Sequence, residues 1–248
     1  MKKLNTLLAV LVLAVVLATP ALAAIEVSGS AYVGYFDKYL WRGIDLSGGS
    51  PVVQGGVNLS TSGFTLSYWT NIQTKDDEIT YFDPAVTVEG GNATETDITI
   101  DYTFSPIDKL KVSVGNIWYA LEGVDTKEAY LGLALDVPLA PVVKAYYDYD
   151  QSEENGLFYT AAVSHSFSPM DKLNLGFGAL VSYNDENWGV SEEYSDWHNY
   201  ELTASATYAI TDQIAIIPSV LYSSPISDEA KDAIDSEWLG GLTVSMSF

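Results

Sequence analysis

Cysteine is absent from the 248-residue sequence, and basic residues are scarce, with 11 lysines and arginines against 33 aspartates and glutamates. The absence of cysteine excludes disulfides, thiolate metal sites and a lipid-modified N-terminal cysteine. The scarcity of basic residues argues against nucleic acid as a partner, because nucleic-acid binding needs a basic footprint. The acidic excess is compatible with attraction of cations, and equally with loops that are simply well solvated.

Long hydrophobic runs are missing beyond the first residues of the chain. The apolar run from Leu7 to Ala18 follows two lysines at positions 2 and 3, and an A-x-A cleavage site ends at Ala23. This order predicts a secretory signal peptide over residues 1–23, with an N-terminal anchor helix as the alternative. Removing the two lysines leaves 9 basic residues, so the exported chain carries a net charge of about −24.

No later stretch approaches the roughly 18 apolar residues that a membrane helix needs. If the exported chain crosses a membrane, it must therefore do so as a closed β-barrel, which also satisfies every backbone hydrogen-bonding group in lipid. The chain does show the period-2 alternation of β-strands with two unlike faces. In its last segment the apolar and the small polar residues take opposite faces: Leu242, Val244, Met246 and Phe248 against Thr243, Ser245 and Ser247.

About twelve such segments of roughly ten residues follow the signal peptide, an even number as single-chain bacterial barrels require. They cover residues 25–35, 53–59, 64–72, 98–104, 110–118, 129–135, 143–149, 157–167, 173–183, 202–210, 214–222 and 238–248. We therefore predict an all-β protein, a transmembrane antiparallel up-and-down β-barrel of about 12 strands over residues 24–248. A soluble secreted β-protein is the alternative.

Long and short connections between these segments alternate. The connections predicted to be long or acidic are 43–50, 73–95, 121–127, 150–156, 184–199 and 223–237, and the tight ones are 60–63, 105–109, 136–141, 168–172 and 211–212. A barrel with both termini in the periplasm has short periplasmic turns and longer outer loops. The alternation predicts integral insertion in the outer membrane of a Gram-negative cell, with membrane lipid and lipopolysaccharide as partners.

The last strand should pair with the first, which closes the cylinder and removes both sheet edges. Its terminal aromatic residue, Phe248, then lies at the periplasmic rim. Outer-membrane barrels in general imply that such a residue is read by the barrel assembly machinery, which we predict as a further partner.

Few residues could carry catalysis. His165 lies between two serines and could suggest an esterase, but no orienting carboxylate is close in sequence, so an interfacial polar residue is the simpler interpretation. Asp196 and His198 could form a water-activating dyad, although one carboxylate two residues from one histidine is a weak pattern. No histidine pair has zinc spacing. We predict no enzymatic activity, no cofactor and no resident metal.

Acidic residues cluster in two of the predicted outer loops. Hard cations such as calcium could bridge these clusters to one another or to anionic headgroups, whereas a solvated charge run needs no ligand. The clusters are Asp76, Asp77, Glu78 and Asp83, and Asp185, Glu186, Glu192, Glu193 and Asp196.

Charged residues of both signs fall on the polar faces of the predicted strands. Charges inside a barrel are costly unless they are hydrated or paired, so a mixed set favours a water-containing channel or a plug of salt-bridged side chains. The candidates for lining the lumen on this basis are Asp101, Lys111, Glu128, Lys144, Asp148 and Glu201. Asp101 and Lys111 flank one tight turn and are predicted to be cross-strand neighbours.

One motif near the start of the chain resembles a known family. The sequence reads Tyr-Leu-Trp-Arg-Gly-Ile-Asp-Leu-Ser over residues 39–47 and Pro-Val-Val-Gln-Gly-Gly over residues 51–56. These segments resemble the TorF-type porins, a proteobacterial outer-membrane β-barrel family of unknown function, and residues 114–119 and 128–133 are similar to it as well. The resemblance implies an outer-membrane barrel with a transport role. Within the motif, Arg42 is the candidate for a lumen or loop-base cation that pairs with an acidic neighbour, and a structural anchor is the alternative.

These observations lead to two functional hypotheses. The first is a porin-like passive channel for small polar or cationic solutes. The second is a closed structural or ligand-binding barrel that uses its acidic extracellular loops.

Overall fold

The computed structural model describes residues 26–79 and 86–248, which form a closed antiparallel barrel of twelve strands. Each strand pairs with its neighbour in sequence, so the predicted all-β up-and-down barrel is confirmed. The predicted signal peptide at residues 1–23 lies outside the described residues. The barrel strands, numbered along the chain, are β1 Ser28–Phe36, β2 Val52–Thr61, β3 Phe64–Gln73, β4 Ala93–Ile107, β5 Leu110–Leu121, β6 Asp125–Leu135, β7 Val142–Asp148, β8 Leu157–Met170, β9 Leu173–Asp185, β10 Ser195–Ala209, β11 Ile214–Pro225 and β12 Glu237–Ser247.

The seam between β1 and β12 closes the barrel as the sequence predicted. Val33 lies opposite Val244 in an antiparallel register. The ladder continues to the end of the chain, because Gly29 and Phe248 exchange two backbone hydrogen bonds of 2.8 and 2.9 Å. Closure leaves neither β1 nor β12 as a free edge.

The outward face of the barrel is apolar, because period-2 alternation puts the large aliphatic residues of every strand on one side. Val33, Leu131 and Val244 are 53%, 48% and 42% exposed despite lying within strands. Aromatic residues mark the two ends of this face as two belts. The belt beside the short turns includes Phe64, Tyr102, Phe104, Phe167 and Phe177, and the belt at the opposite end includes Tyr147, Tyr149, Tyr159, Tyr183 and Trp197.

Tight turns join the strands at one end of the barrel, here called the short-turn end. The β2–β3, β4–β5 and β8–β9 connections are residues 62–63, 108–109 and 171–172. A left-handed residue occurs in each, at Ser62, Lys109 and Lys172. The β4–β5 and β8–β9 turns also share the sequence Phe-Ser-Pro-x-Asp-Lys-Leu, at residues 104–110 and 167–173, so this repeated pattern encodes the same hairpin geometry twice.

The connections at the opposite, long-loop end are mostly longer, but two of them are much shorter than the sequence predicted. Residues 122–124 make only a short turn between β5 and β6, because the ladder extends to the pair Ala120–Asp125 and Gly123 adopts a φ of 97°. The β9–β10 connection is 186–194 rather than 184–199, because Asn184 pairs with Asp196. Long and short connections thus alternate less strictly than the sequence predicted.

The β1–β2 connection, residues 37–51, is here called the inner loop because its side chains are buried at the long-loop end of the barrel. Tyr39, Ile44 and Leu46 form a buried cluster with Val52 and Ile234. Ile234 follows the short helix α1, Asp228–Ala233, in the β11–β12 connection. No helix among the described residues is long and apolar enough to span a membrane.

Candidate functional site

The inner loop carries a small hairpin whose tip is Arg42-Gly43. Leu40–Trp41 pairs with Ile44–Asp45, and the two tip residues have φ values of 50° and 80°. Two successive left-handed residues are the signature of a type I′ hairpin turn, which glycine adopts without steric cost. A Cβ at Gly43 would also lie 2.7 Å from Ile234 Cδ1 and 3.1 Å from Asn199 Nδ2. The Arg-Gly-Ile motif therefore encodes a tight tip that packs closely against the barrel wall.

The tip projects Arg42, the only arginine in the sequence, across the mouth of the barrel to β6. Its two terminal nitrogens lie 2.9 and 2.7 Å from the two carboxylate oxygens of Glu128. The side chains are 8% and 2% exposed, so this is a buried bidentate ion pair. Burial is the largest single influence on the Arg42 guanidinium and lowers its pKa, but the combined effects of Glu128, Tyr119 and Tyr146 outweigh it and raise the pKa above its usual value.

Aromatic rings surround the guanidinium of Arg42. Its central carbon lies 4.2 Å from the centroid of the Phe158 ring, 4.3 Å from that of Trp41 and 5.1 Å from that of Tyr146. At these distances the ring faces attract the cation, and they do so more strongly where water is excluded. Arg42 is therefore held by one carboxylate and three ring faces.

Polar groups complete the contacts of this ion pair. Tyr119 donates its hydroxyl to Glu128 at 2.9 Å, and Asn187 Nδ2 donates to the same carboxylate at 3.1 Å. Asn187 Oδ1 accepts from Arg42 at 3.1 Å, so this one amide contacts both members of the pair. Asn187 belongs to the β9–β10 connection, which is thereby tied to the inner loop.

His198 fixes the backbone of the hairpin tip. Its Nε2 donates to the Arg42 carbonyl oxygen at 2.7 Å, and the Tyr194 hydroxyl donates to its Nδ1. Asp196 instead accepts from the backbone N–H of Trp197 at 2.6 Å. Asp196 and His198 therefore do not form the water-activating dyad that was considered from the sequence.

A cavity of about 350 Å³ adjoins Arg42 inside the barrel. Asp97, Glu201 and Trp69 are among the side chains that line it. Asp97 Oδ1 is buried and has no hydrogen-bond partner among the described residues. Burial raises the pKa of the inner-loop residue Tyr39 well above its usual range, helped by the charges of Glu95 and Asp97. The lining of this cavity thus combines one arginine with the carboxyl groups of Asp97 and Glu201.

Among the residues singled out from the sequence, the structure pairs Arg42 with Glu128 and places Glu201 at the same cavity as Arg42, and it disperses the others. Glu201 lines the cavity and accepts from Asn199 at 3.2 Å. Asp148 is buried and accepts backbone amides of residues 150 and 151, which shapes the β7–β8 connection. Lys144 Nζ lies 5.1 Å from the centroid of the Tyr130 ring.

The prediction that Asp101 and Lys111 are cross-strand neighbours is wrong. Asp101 lies opposite Gly115, because β4 and β5 continue to the pair Ile107–Leu110 and the ladder is longer than the sequence pattern indicated. The Asp101 carboxylate accepts from the hydroxyl of Tyr130 at 2.6 Å instead, and Lys111 is exposed.

The other candidates from the sequence lie elsewhere. His165 is exposed beside the 136–141 turn, and the lining of a cavity of about 440 Å³ at this turn includes Ser164 and Ser166 but no carboxylate from the described residues. In the acidic loops, Asp83 lies outside the described residues. Across residues 26–79 and 86–248, no group of three or more histidines and carboxylates is arranged to hold a metal ion.

Sequence reasoning missed the residues that surround Arg42. Tyr119, Tyr146 and Phe158 are large aromatic side chains at inward positions of strands whose other inward residues are mostly small or polar. That break in the pattern is a signal that the sequence does contain. Asn187 gives no comparable signal, because its position depends on the conformation of an irregular connection.

Comparisons with solved structures place the fold among outer-membrane porins. The NanC porin is similar with a TM-score of 0.55 and 12% identity, over 89% of this chain and 100% of that one. The KdgM porin gives 0.54 and 10% over 89% and 99%, and an outer-membrane channel from Pseudomonas putida F1 gives 0.57 and 12% over 92% and 97%. No protein-family model and no curated protein sequence matches the chain significantly. At these identities the likeness establishes the fold.

Proposed function

We propose that this protein is a passive, porin-like channel in the outer membrane, open to small polar or cationic solutes. The observation that supports this most directly is the contrast between its two faces. Ser67, Thr99 and Thr160 line the interior cavity, whereas the outward face is aliphatic between two aromatic belts. A barrel built in this way has lipid outside and water inside. Membership of the TorF-type porins stays a prediction.

The preference for cations is supported by the acidic residues around the interior cavity. Asp97 and Glu201 line the cavity, and Glu95 is buried nearby. The one arginine in this region is already paired with Glu128. When they are ionised, carboxylates on the lumen face attract cations and repel anions, more strongly in a passage with low-dielectric walls.

A closed barrel is the second candidate, and one observation favours it. The inner loop reaches from the β1 side of the barrel to β6 on the opposite side and is held there by the buried ion pair. A loop fixed in this position narrows the mouth. In that case the protein would act through its acidic extracellular loops, on lipopolysaccharide or another ligand.

Conductance separates the two candidates. We would refold the protein without residues 1–23, insert it in planar bilayers and measure the current and the reversal potential in a potassium chloride gradient. We expect discrete conductance with a reversal potential of the cation-selective sign. The double variant D97N/E201Q should lose part of that selectivity, whereas D108N/D171N, which neutralises two acids at the short turns, should keep it.

Two results would contradict the channel. Bilayers that stay silent with both the wild-type protein and a variant with an unpinned inner loop, R42A, would favour the closed barrel. An anion-selective current would leave a channel but refute the proposed solute class.

A further inference from the structure

Arg42 is bound by the barrel in the way a protein binds a ligand. The groups around its guanidinium come from separate strands: Glu128 from β6, Tyr146 from β7 and Phe158 from β8. Asn187 adds a further acceptor from the β9–β10 connection. These four residues, together with Tyr119 from β5, are here called the cage. Arg42 is the only charged group that enters the cage from the inner loop among the described residues.

The chemistry of the cage fits a planar, delocalised cation better than a compact one. The two oxygens of Glu128 match the two N–H edges of a guanidinium at 2.9 and 2.7 Å. The ring faces of Phe158 and Tyr146, both in the cage, lie 4.2 and 5.1 Å from its carbon. A guanidinium can pair with a carboxylate through two N–H groups while its plane stacks on aromatic rings, and an ammonium cannot.

We propose that the barrel wall carries a binding site for guanidinium-bearing or similar planar organic cations, and that Arg42 occupies this site as an internal ligand. The existence of the site is independent of the proposed channel, whereas its role as a solute-binding point in the lumen rests on that proposed function.

Because Arg42 already occupies the site, a free solute can bind only by displacing the Arg42 side chain. A ligand attached through a short connection acts at an effective concentration on the order of millimolar. A free cation must therefore outcompete Arg42, and its apparent affinity for the wild-type protein is reduced accordingly. A solute that succeeds would release the Arg42 side chain from Glu128 and loosen the inner loop.

Calorimetric titration with methylguanidinium tests the site directly. The refolded R42A barrel in detergent micelles should bind one equivalent, and more tightly than the wild-type protein, in which the cage is filled. In R42A/E128Q the affinity should fall by about tenfold or more, because a hydrogen-bonded charge pair is lost. Methylammonium, which lacks the planar fork, should bind R42A more weakly than methylguanidinium does.

Refolding offers a second readout if R42A does not fold alone. Methylguanidinium should then restore the folded fraction of R42A, whereas potassium at equal ionic strength should not, because only the former pairs with the stranded Glu128. Equal binding by wild-type and R42A protein, equal binding by R42A and R42A/E128Q, or no rescue beyond that by potassium would overturn the proposal. Neither readout measures conductance. The absence of current in bilayers would therefore contradict the proposed channel and would not bear on the proposed binding site.

Discussion

At the scale of single residues, the pair of Arg42 and Glu128 contributes more to position than to stability. Both side chains are almost fully buried. Desolvation of two charges offsets much of their attraction, so such a pair adds little net stability, but loss of one partner leaves an uncompensated charge at a cost of about 3–5 kcal/mol. Arg42 differs from a core residue because it lies on a loop and can swing into water. Loss of Glu128 should therefore displace the inner loop and leave the barrel folded.

Proteolysis tests this expectation, since an arginine-specific protease has a single target in the chain. In the wild-type barrel the peptide bond after Arg42 should resist cleavage, because the Gly43 backbone packs against Asn199 and Ile234. In E128A the inner loop should be cut there, giving one pair of fragments on a gel. E201A removes a nearby carboxylate that does not bind Arg42 and is the matched control. Cleavage of E128A no faster than that of E201A would contradict the anchoring role.

At the scale of elements, the seam of the barrel brings the terminal residue against the first strand. Phe248 continues the β12 ladder through its two backbone hydrogen bonds to Gly29. Its ring lies over the same glycine, where an added Cβ would come within 2.5 Å of the ring. The residue is nonetheless 53% exposed on the outward face of the folded barrel.

Replacement of Phe248 by alanine should separate assembly in cells from folding in a test tube. We expect F248A to refold in detergent nearly as well as the wild-type protein, because the backbone hydrogen bonds of the seam remain. In cells, the fraction that reaches the heat-modifiable folded form on a gel should fall if, as we predict, the assembly machinery reads this aromatic group. M246A, on the same face two residues earlier, is the control. Equal losses in both settings would mean that Phe248 acts only through packing.

The strands were predictable from the sequence, whereas the contacts of the inner loop were not. Period-2 alternation placed Leu242 and Val244 outward and Glu128 inward, because each strand separates lipid-facing from lumen-facing residues by local spacing alone. The inner loop depends on contacts between residues distant in sequence. Arg42 meets Glu128 and Asn187, and neither partner is indicated by the residues around Arg42. Its role as a cation with an acidic partner was a hypothesis from the motif, but the identity of the partner needed the fold.

Connection lengths show an intermediate case. The tight turns carried recognisable proline, aspartate and glycine signals, and the hairpins formed there. The connection after Leu121 looked longer than it is, because Asp125 and Lys127 read as loop residues although they pair in the ladder. Polar composition therefore indicates a loop only where the neighbouring strand offers no backbone hydrogen-bonding partner.

At the scale of the whole molecule, the two aromatic belts define the part of the barrel that fits a membrane. Trp238 and Phe248 lie at opposite ends of the β12 segment, both more than half exposed. They are separated by about 33 Å along a strand at ~3.3 Å per residue, or about 25 Å once the usual tilt is included. That height matches the apolar band of outer-membrane barrels.

Arginine substitutions at two depths test this placement. V244R puts a charge midway between the belts and should lower the free energy of unfolding in phospholipid vesicles by about 2–4 kcal/mol. I107R, beside the 108–109 turn, should cost only about 0–1 kcal/mol because its charge reaches water. The comparison is made by urea unfolding of both variants. Equal costs at the two positions would show that the outward face does not meet lipid there.

The seam has a further consequence for how the chain reaches its folded state. It joins residues 30 and 247, whereas every other pair of barrel strands is a hairpin. The entropy of so long a closure is modest, since each doubling of loop length costs only about 0.6 kcal/mol. The time that passes before closure matters more. Until the seam forms, β1 and β12 each present an open edge to other chains. The seam is therefore the place where two copies would exchange strands, and protection of those edges would decide the yield of monomeric barrel.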